Sequence, residues 1–401
     1  MARRPLFAAV ALAAGFGLAV TSGVEAQIAP ARTLDELKAE TQARADRNAY
    51  PLTGLKPDDV REALSHINSL DRDEWAKAWS DVALRYMSRA DGEAASDAKQ
   101  AAADYMQAWR LYSFARWPVP NSPGKEQGYR DALTAFRKAS QFLNPPLEVV
   151  RIPFEGKEIV GYLRLPKDVR PAPLVFMISA LDSRKEDSLE RGADYLNRGV
   201  AVFAVDMPGT GEAPIKADVG AERMFSAALD ALLSRPEIDP ARVVIQGNSW
   251  SGYWAAKLAV TERARIRGAV VQGGPVHNYF QADWQLPALG TREYLFDLFP
   301  ARASVYGVST LEEFLAYGPR LSLKDGGFLE KPSAPMLLVN GVKDTQVPIA
   351  DLDLLLHTGQ PKDAWVNPTG GHMGRNADWP DGKIFKEIVL PWVVRKLSSE
   401  G

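Results

Sequence analysis

The chain has 401 residues, 46% of them apolar and 24% charged, which supplies a large folded core and excludes a disordered or fibrous protein. A net charge of -2 with both signs interspersed leaves no footprint for nucleic acid or an anionic membrane surface. Cysteine is absent, which excludes disulfides, thiolate metal sites and cysteine nucleophiles.

Arg3 and Arg4 precede an apolar run from Leu6 to Val20, and Val24-Glu25-Ala26 offers small residues for cleavage before Gln27. Residues 1–26 therefore read as a signal peptide in preference to a membrane anchor. That predicts a periplasmic or secreted mature protein without a membrane span.

From Thr33 to Phe142 the pattern is helical. Thr33 and Glu36 are spaced as a capping box, and Pro57 stands where a helix starts, with Val60, Leu64 and Ile67 following at helical spacing. Trp75, Trp79, Val82 and Tyr86 form one aromatic stripe, and Tyr105, Trp109 and Tyr112 another. Helix packing is the plain reading of both; the sharper one is that some of these rings roof a bulky, apolar substrate. The prolines between Arg116 and Gly124 forbid helix interior and predict a rigid bend. Asn144-Pro145-Pro146 ends the last of these helices, which gives a helical N-terminal domain over residues 27–145 and a second domain over 146–401.

In the second domain the period changes. Leu147 to Pro153 and Ile159 to Leu165 flank a Glu155-Gly156-Lys157 turn, a hairpin signal. Apolar runs at Leu174 to Ser179, Ala201 to Val205, Val243 to Gln246, Gly268 to Gln272 and Met336 to Asn340 suit parallel strands buried on both faces. Helices over about Glu186 to Arg198 and Met224 to Leu233 fall between them, and a last strand is expected at Ala364 to Val366. The fold class is thus α/β, a doubly wound, mostly parallel sheet whose ligands sit at the strands' carboxyl ends.

Three segments at those ends carry chemistry. Val243 through Tyr253 reads as strand, tight turn and helix, with Gly247-Asn248-Ser249-Trp250-Ser251-Gly252 at the turn. A serine on such a strained elbow is exposed and activatable. Ser251 stands where a second glycine is usual, and it is the rival nucleophile. Asp344 follows the strand at Met336 to Asn340 and suits the acid that orients an imidazole. His372 lies in the glycine-flanked loop Thr369 to Gly374. His66 and His357 sit in helical segments. Backbone N–H groups for an oxyanion are expected from Trp250 and from the loop after Leu174 to Ser179, with Leu181 first and Ala180 next. His277 and Asp182 are further candidates for a substrate pocket, a structural role for His277 being equally open. The Asp206 to Glu212 loop reads as structural first and pocket lining second. No motif calls for a cofactor, and no cluster has metal-ligand spacing.

The segments Leu181 to Asp187, Asp206 to Glu212 and the elbow resemble a branch of the α/β hydrolases with a helical N-terminal domain. It includes 2,6-dihydroxypseudooxynicotine hydrolase, fungal polyketide-shortening hydrolases and fermentation-respiration-switch-like esterases. The likeness extends to Ser113 through Lys125 and Pro146-Leu147-Glu148. It implies a Ser249–His372–Asp344 triad and a helical domain that covers it. Ser179-Ala180, in place of a Gly pair, and Ser251 depart from the pattern. The reading is hydrolysis of a carboxylic ester of a small, bulky or aromatic molecule through an acyl-enzyme. The alternative is C–C cleavage of a β-diketone or aryl ketone by the same triad, and a lower one is a catalytically silent binding protein. A homodimer is compatible with each.

Overall fold

Residues 32–359 and 362–398 are described by the structure, a computed structural model. The expected signal peptide lies outside them. Among the described residues no helix is long and apolar enough to cross a membrane.

Five helices come first: α1 (Leu34–Asp46), α2 (Pro57–Ser65), α3 (Arg72–Glu93), α4 (Ala98–Ala115) and α5 (Pro123–Ser140). Each starts where the chemistry of a first turn is met. The Thr33 hydroxyl accepts from the Glu36 N–H while the Glu36 carboxylate accepts from the Thr33 N–H, and Asp71 accepts from two N–H groups of α3. Pro57 occupies the first turn of α2, where its missing donor costs nothing. Trp75, Trp79 and Tyr86 of α3 pack with Trp109 and Tyr112 of α4 and Phe136 of α5 in one buried cluster, so these stripes are helix packing.

Eight strands follow: β1 (Glu148–Phe154), β2 (Lys157–Arg164), β3 (Ala172–Ile178), β4 (Ala201–Val205), β5 (Ile238–Asn248), β6 (Gly268–Gln272), β7 (Met336–Gly341) and β8 (Lys362–Asn367). They form one sheet in the order β1-β2-β4-β3-β5-β6-β7-β8. The pairs β1–β2 and β2–β4 are antiparallel and the other five pairs are parallel. The hairpin turns through Glu155 and Gly156, both at positive φ, which suits the twist of the paired strands. Along β3, Leu174, Phe176 and Ile178 enter the core on one face and Val175 and Met177 the core on the other. Burial of both faces is why β3, β4, β6 and β7 read as unbroken apolar runs.

Two expectations about elements need correction. The helix foreseen from Glu186 is a short 3-10 turn, Lys185–Ser188, followed by α6 (Leu189–Leu196). Asp206 holds both the backbone N–H and the ammonium of Lys185, and the Asp187 carboxylate takes the Arg184 N–H, so side chains compete with the first helical turn. The strand foreseen at Val243 to Gln246 is longer because Ile238 already pairs with Ala172 on β3.

Candidate active site

The carboxyl end of β5 meets a helix over Trp250–Thr261, and Ser249 sits between them at φ 53 and ψ -132. A side chain rarely adopts that backbone, which marks stored strain. Two glycines make the turn possible: a Cβ on Gly247 would lie 2.2 Å from the Ser251 carbonyl oxygen, and one on Gly252 would lie 2.5 Å from the Gly274 Cα. The turn is fastened to the neighbouring strand by the Ser249 N–H, which donates to the Gln272 carbonyl at 2.7 Å.

The structure brings Ser249, His372 and Asp344 together. His372 Nε2 is 2.7 Å from Ser249 Oγ, and His372 Nδ1 is 2.8 Å from Asp344 Oδ2. Asp344 Oδ1 accepts from the N–H groups of Gln346 and Val347, which fixes the carboxylate plane. Burial alone would raise the Asp344 carboxyl; the imidazole beside it and these two N–H groups outweigh burial and hold it below the usual carboxylate range. His372 is presented by a short turn in which Met373 takes φ 63. That turn is pinned three times. The Met373 N–H donates to Asn340 Oδ1, Gln272 Nε2 donates to the Met373 carbonyl, and Arg375 Nε donates to the His372 carbonyl.

Ser251 is not a second nucleophile of this site. It is fully buried, accepts from the Asn248 N–H, and its hydroxyl faces the carbonyls of Asn248 and Ile178, each at 2.9 Å. It braces the elbow against the end of β3.

Of the candidate oxyanion donors, the N–H groups of Trp250 and Leu181 have no partner among the described residues, whereas the Ala180 N–H donates to Ser183 Oγ at 2.9 Å. Ala180, the second choice, is thereby occupied. The loop that carries Leu181 is held from several sides. Arg116, which comes from the end of α4, donates to the Asp182 carbonyl at 2.6 Å, and Arg184 donates to the carbonyls of Leu181 and Ser183. At the base of the loop Asp206 accepts from Ser179 Oγ and from Lys185, whose ammonium also meets Glu186 and Glu212. The Asp206 to Glu212 loop is therefore a brace, as its structural reading had it.

His277 is engaged: its Nδ1 lies 2.7 Å from Ser322 Oγ and 3.4 Å from Asp325 Oδ2, which favours its structural reading. Beside it the buried Asp351 accepts from the N–H groups of Val276, Asn278 and Tyr279 and so ties down the loop after β6. Asp182 is buried, with Tyr50 and Tyr294 as neighbours. Sequence reasoning missed Arg116, Tyr50 and Tyr294; only Arg116 had a signal, its place in the proline-rich segment. A cavity of about 610 Å³ lies between α3 and the segment from Leu289 to Leu298, and its lining includes none of the three triad residues. Ser249, His372 and Asp344 are in contact at the carboxyl ends of the strands, outside that cavity.

This arrangement can pass a proton from a hydroxyl to an imidazole, steady the resulting cation with a buried carboxylate, and meet developing negative charge with two backbone N–H groups. A mostly parallel sheet with both faces covered and this constellation at its carboxyl ends defines an α/β hydrolase. Two solved structures share the fold: 2,6-dihydroxy-pseudo-oxynicotine hydrolase, with a TM-score of 0.72 at 24% identity over 86% of this chain and 94% of that one, and AbyA5, with 0.68 at 20% identity over 90% and 93%. Residues 60–364 match the family described as Esterase FrsA-like, and the chain belongs to it. Esterase FrsA of Vibrio vulnificus (strain YJ016) is 29% identical over 286 residues, 69% of this chain and 66% of that protein. The 2,6-dihydropseudooxynicotine hydrolase of Paenarthrobacter nicotinovorans is 27% identical over 287 residues, 70% of this chain and 74% of that protein. The resemblance drawn from the sequence motifs is borne out.

Proposed function

We propose that the protein is a serine hydrolase that cleaves a carboxylic ester through an acyl-enzyme. The observation that carries this is the continuous contact from Ser249 Oγ through the His372 ring to Asp344, 2.7 Å and 2.8 Å long, on a strained elbow. His372 Nε2 takes the Ser249 proton as Oγ attacks the carbonyl carbon, and Asp344 stabilises the imidazolium. The oxyanion is met by the N–H groups of Trp250 and Leu181. As the tetrahedral adduct collapses, the ester C–O bond breaks and the leaving alkoxide takes the proton from Nε2. Water then repeats the sequence: it gives a proton to His372, adds to the acyl carbon and releases the acid and Ser249.

The family name and the name of the Vibrio relative support an ester as the bond cleaved. Helices α1–α5, the core of the domain proposed for residues 27–145, serve in this reading as a cover over the site, since Arg116 and Tyr50 reach its edge. Residues 1–26 serve as an export signal; the amino terminus of the protein recovered from the periplasm or the medium of an expressing bacterium is expected at Gln27, and retention of Met1 there would contradict this.

The test is turnover by the purified protein of p-nitrophenyl and alkyl esters beside β-diketones and aryl ketones. Ester hydrolysis that vanishes in Ser249→Ala is expected. Cleavage of the ketones with no ester turnover would move the assignment to C–C hydrolysis by the same triad, and turnover of neither would defeat both.

A further inference from the structure

We propose that Asp182, Tyr50 and Tyr294 form a subsite for a hydroxyl group of the substrate, at the edge of the oxyanion loop. The proposal rests on the serine-hydrolase reading and names what that site binds.

The placement comes from two sides. Asp182 directly follows Leu181, whose free N–H faces no protein partner, and Arg116 fixes the Asp182 carbonyl. Tyr50, in the loop between α1 and α2, lies under the Arg375 guanidinium at 5.8 Å from the ring centre, and Arg375 donates to the His372 carbonyl at 3.0 Å. Tyr50 thus stands between the histidine turn and the oxyanion loop. Tyr294 completes the group and stacks on Trp117, with ring centres 4.9 Å apart and planes at 27°.

These groups are polar and short of partners. Asp182 is 9% exposed and makes no ion pair among the described residues; its nearby cation, Arg116, is spent on backbone carbonyls. The Tyr294 hydroxyl and the Trp117 indole N–H are buried without a hydrogen-bond partner. The Tyr294 phenol is pushed well above the ordinary tyrosine value, first by burial and next by the Asp182 carboxylate, which also raises Tyr50. Tyr50 nevertheless leaves 40% of its surface open, so it is reached from solvent and is not packed in a core. A buried carboxylate with no cation is costly to maintain for packing alone. Phenol and indole donors around an acceptor carboxylate match a group that both gives and takes a hydrogen bond, and a hydroxyl does so. A substrate carboxylate would be repelled, and an alkyl group would leave the Tyr294 hydroxyl and the Trp117 N–H without a partner.

The experiment compares paired esters on the full-length protein: p-nitrophenyl 4-hydroxybenzoate and 3-hydroxybenzoate against the benzoate, and 3-hydroxyphenyl acetate against phenyl acetate. In one pair the hydroxylated ester is expected to show a kcat/KM at least about tenfold higher, since a site built to hydrogen-bond a hydroxyl rejects its deoxy analogue. Asp182→Asn and, separately, Tyr294→Phe are expected to bring that ratio to within about threefold of unity, as each removes a partner of the hydroxyl while keeping the side-chain shape. Covalent labelling of Ser249 by a fluorophosphonate reports that each variant is folded. A ratio near unity in every pair, a ratio unchanged in both variants, or a larger preference for an aminomethyl analogue would overturn the proposal. If no ester is turned over, the ester reading has failed and the subsite is decided separately, by calorimetry on Ser249→Ala. Hydroxylated acetophenones are then expected to bind tighter than acetophenone, and equal binding would overturn the subsite as well.

Discussion

At Ser249 the chain accepts a backbone that serine disfavours, and the reason is geometric: only on that turn does Oγ clear the sheet and reach His372. Two effects of substitution follow. Ser249→Ala should lower ester kcat by about 10⁴-fold or more with an unchanged fold, because the imidazole has no nucleophile to activate. Ser249→Gly should be equally inactive yet about 1 kcal/mol more stable to denaturant, as relief of positive-φ strain exceeds glycine's entropy cost. A less stable Ser249→Gly would contradict the strain. Asp187 gives a pH signature. Its side chain meets solvent, yet the protein around it withdraws hydration, and burial pushes the carboxyl up to about 6 against the pull of Arg116. The folded state then holds that proton more tightly than the unfolded chain, whose carboxyl titrates near ~4, so this group's contribution to stability falls as pH rises through that window. The stability of Asp187→Asn relative to the natural protein should therefore climb from pH 4 to pH 7 and then level off; a flat or falling difference in urea midpoints would refute it.

Elements differ in how plainly they could be read. Strands β3, β4, β6 and β7 announce themselves because both faces are buried, and the elbow because its glycines answer to close backbone contacts. The acid and the histidine follow from their positions after strands. The brace formed by Ser251 was not legible, since its partner Ile178 is 73 residues away and local sequence shows only a small polar residue in a turn. The clamp of Arg116 on the Asp182 carbonyl spans 66 residues and is hidden for the same reason. It makes a prediction about the oxyanion loop. Arg116→Leu should lower kcat by about 10- to 100-fold with little change in KM, because a loosened loop mispositions the Leu181 N–H more in the transition state than in the ground state. A matching rise in KM with unchanged kcat would assign Arg116 to substrate binding instead.

Across the whole molecule the helices and the sheet share surfaces that no periodicity reveals. Phe136 of α5 stacks on Tyr162 of β2 with ring centres 5.3 Å apart, and Tyr162 and Leu295 belong to the same apolar cluster as Trp75 and Trp79. Arg72 pairs with Asp297 through two contacts, and Arg292 pairs with Glu36. Phe136→Ala should cost about 3–5 kcal/mol of stability in denaturant melts, as expected for a large ring removed from a close-packed core. A cost under ~1 kcal/mol would mean that this seam does not hold the helices to the sheet. The serine, histidine and aspartate reach one another because the loops after β5, β7 and β8 meet at one edge of the sheet. Intact-mass and peptide analysis after treatment with a fluorophosphonate measures this most directly. One adduct per chain on the peptide bearing Ser249, absent in Ser249→Ala and much slower in His372→Ala, is the predicted result. No adduct on the folded protein, or an adduct at another residue, would contradict the triad.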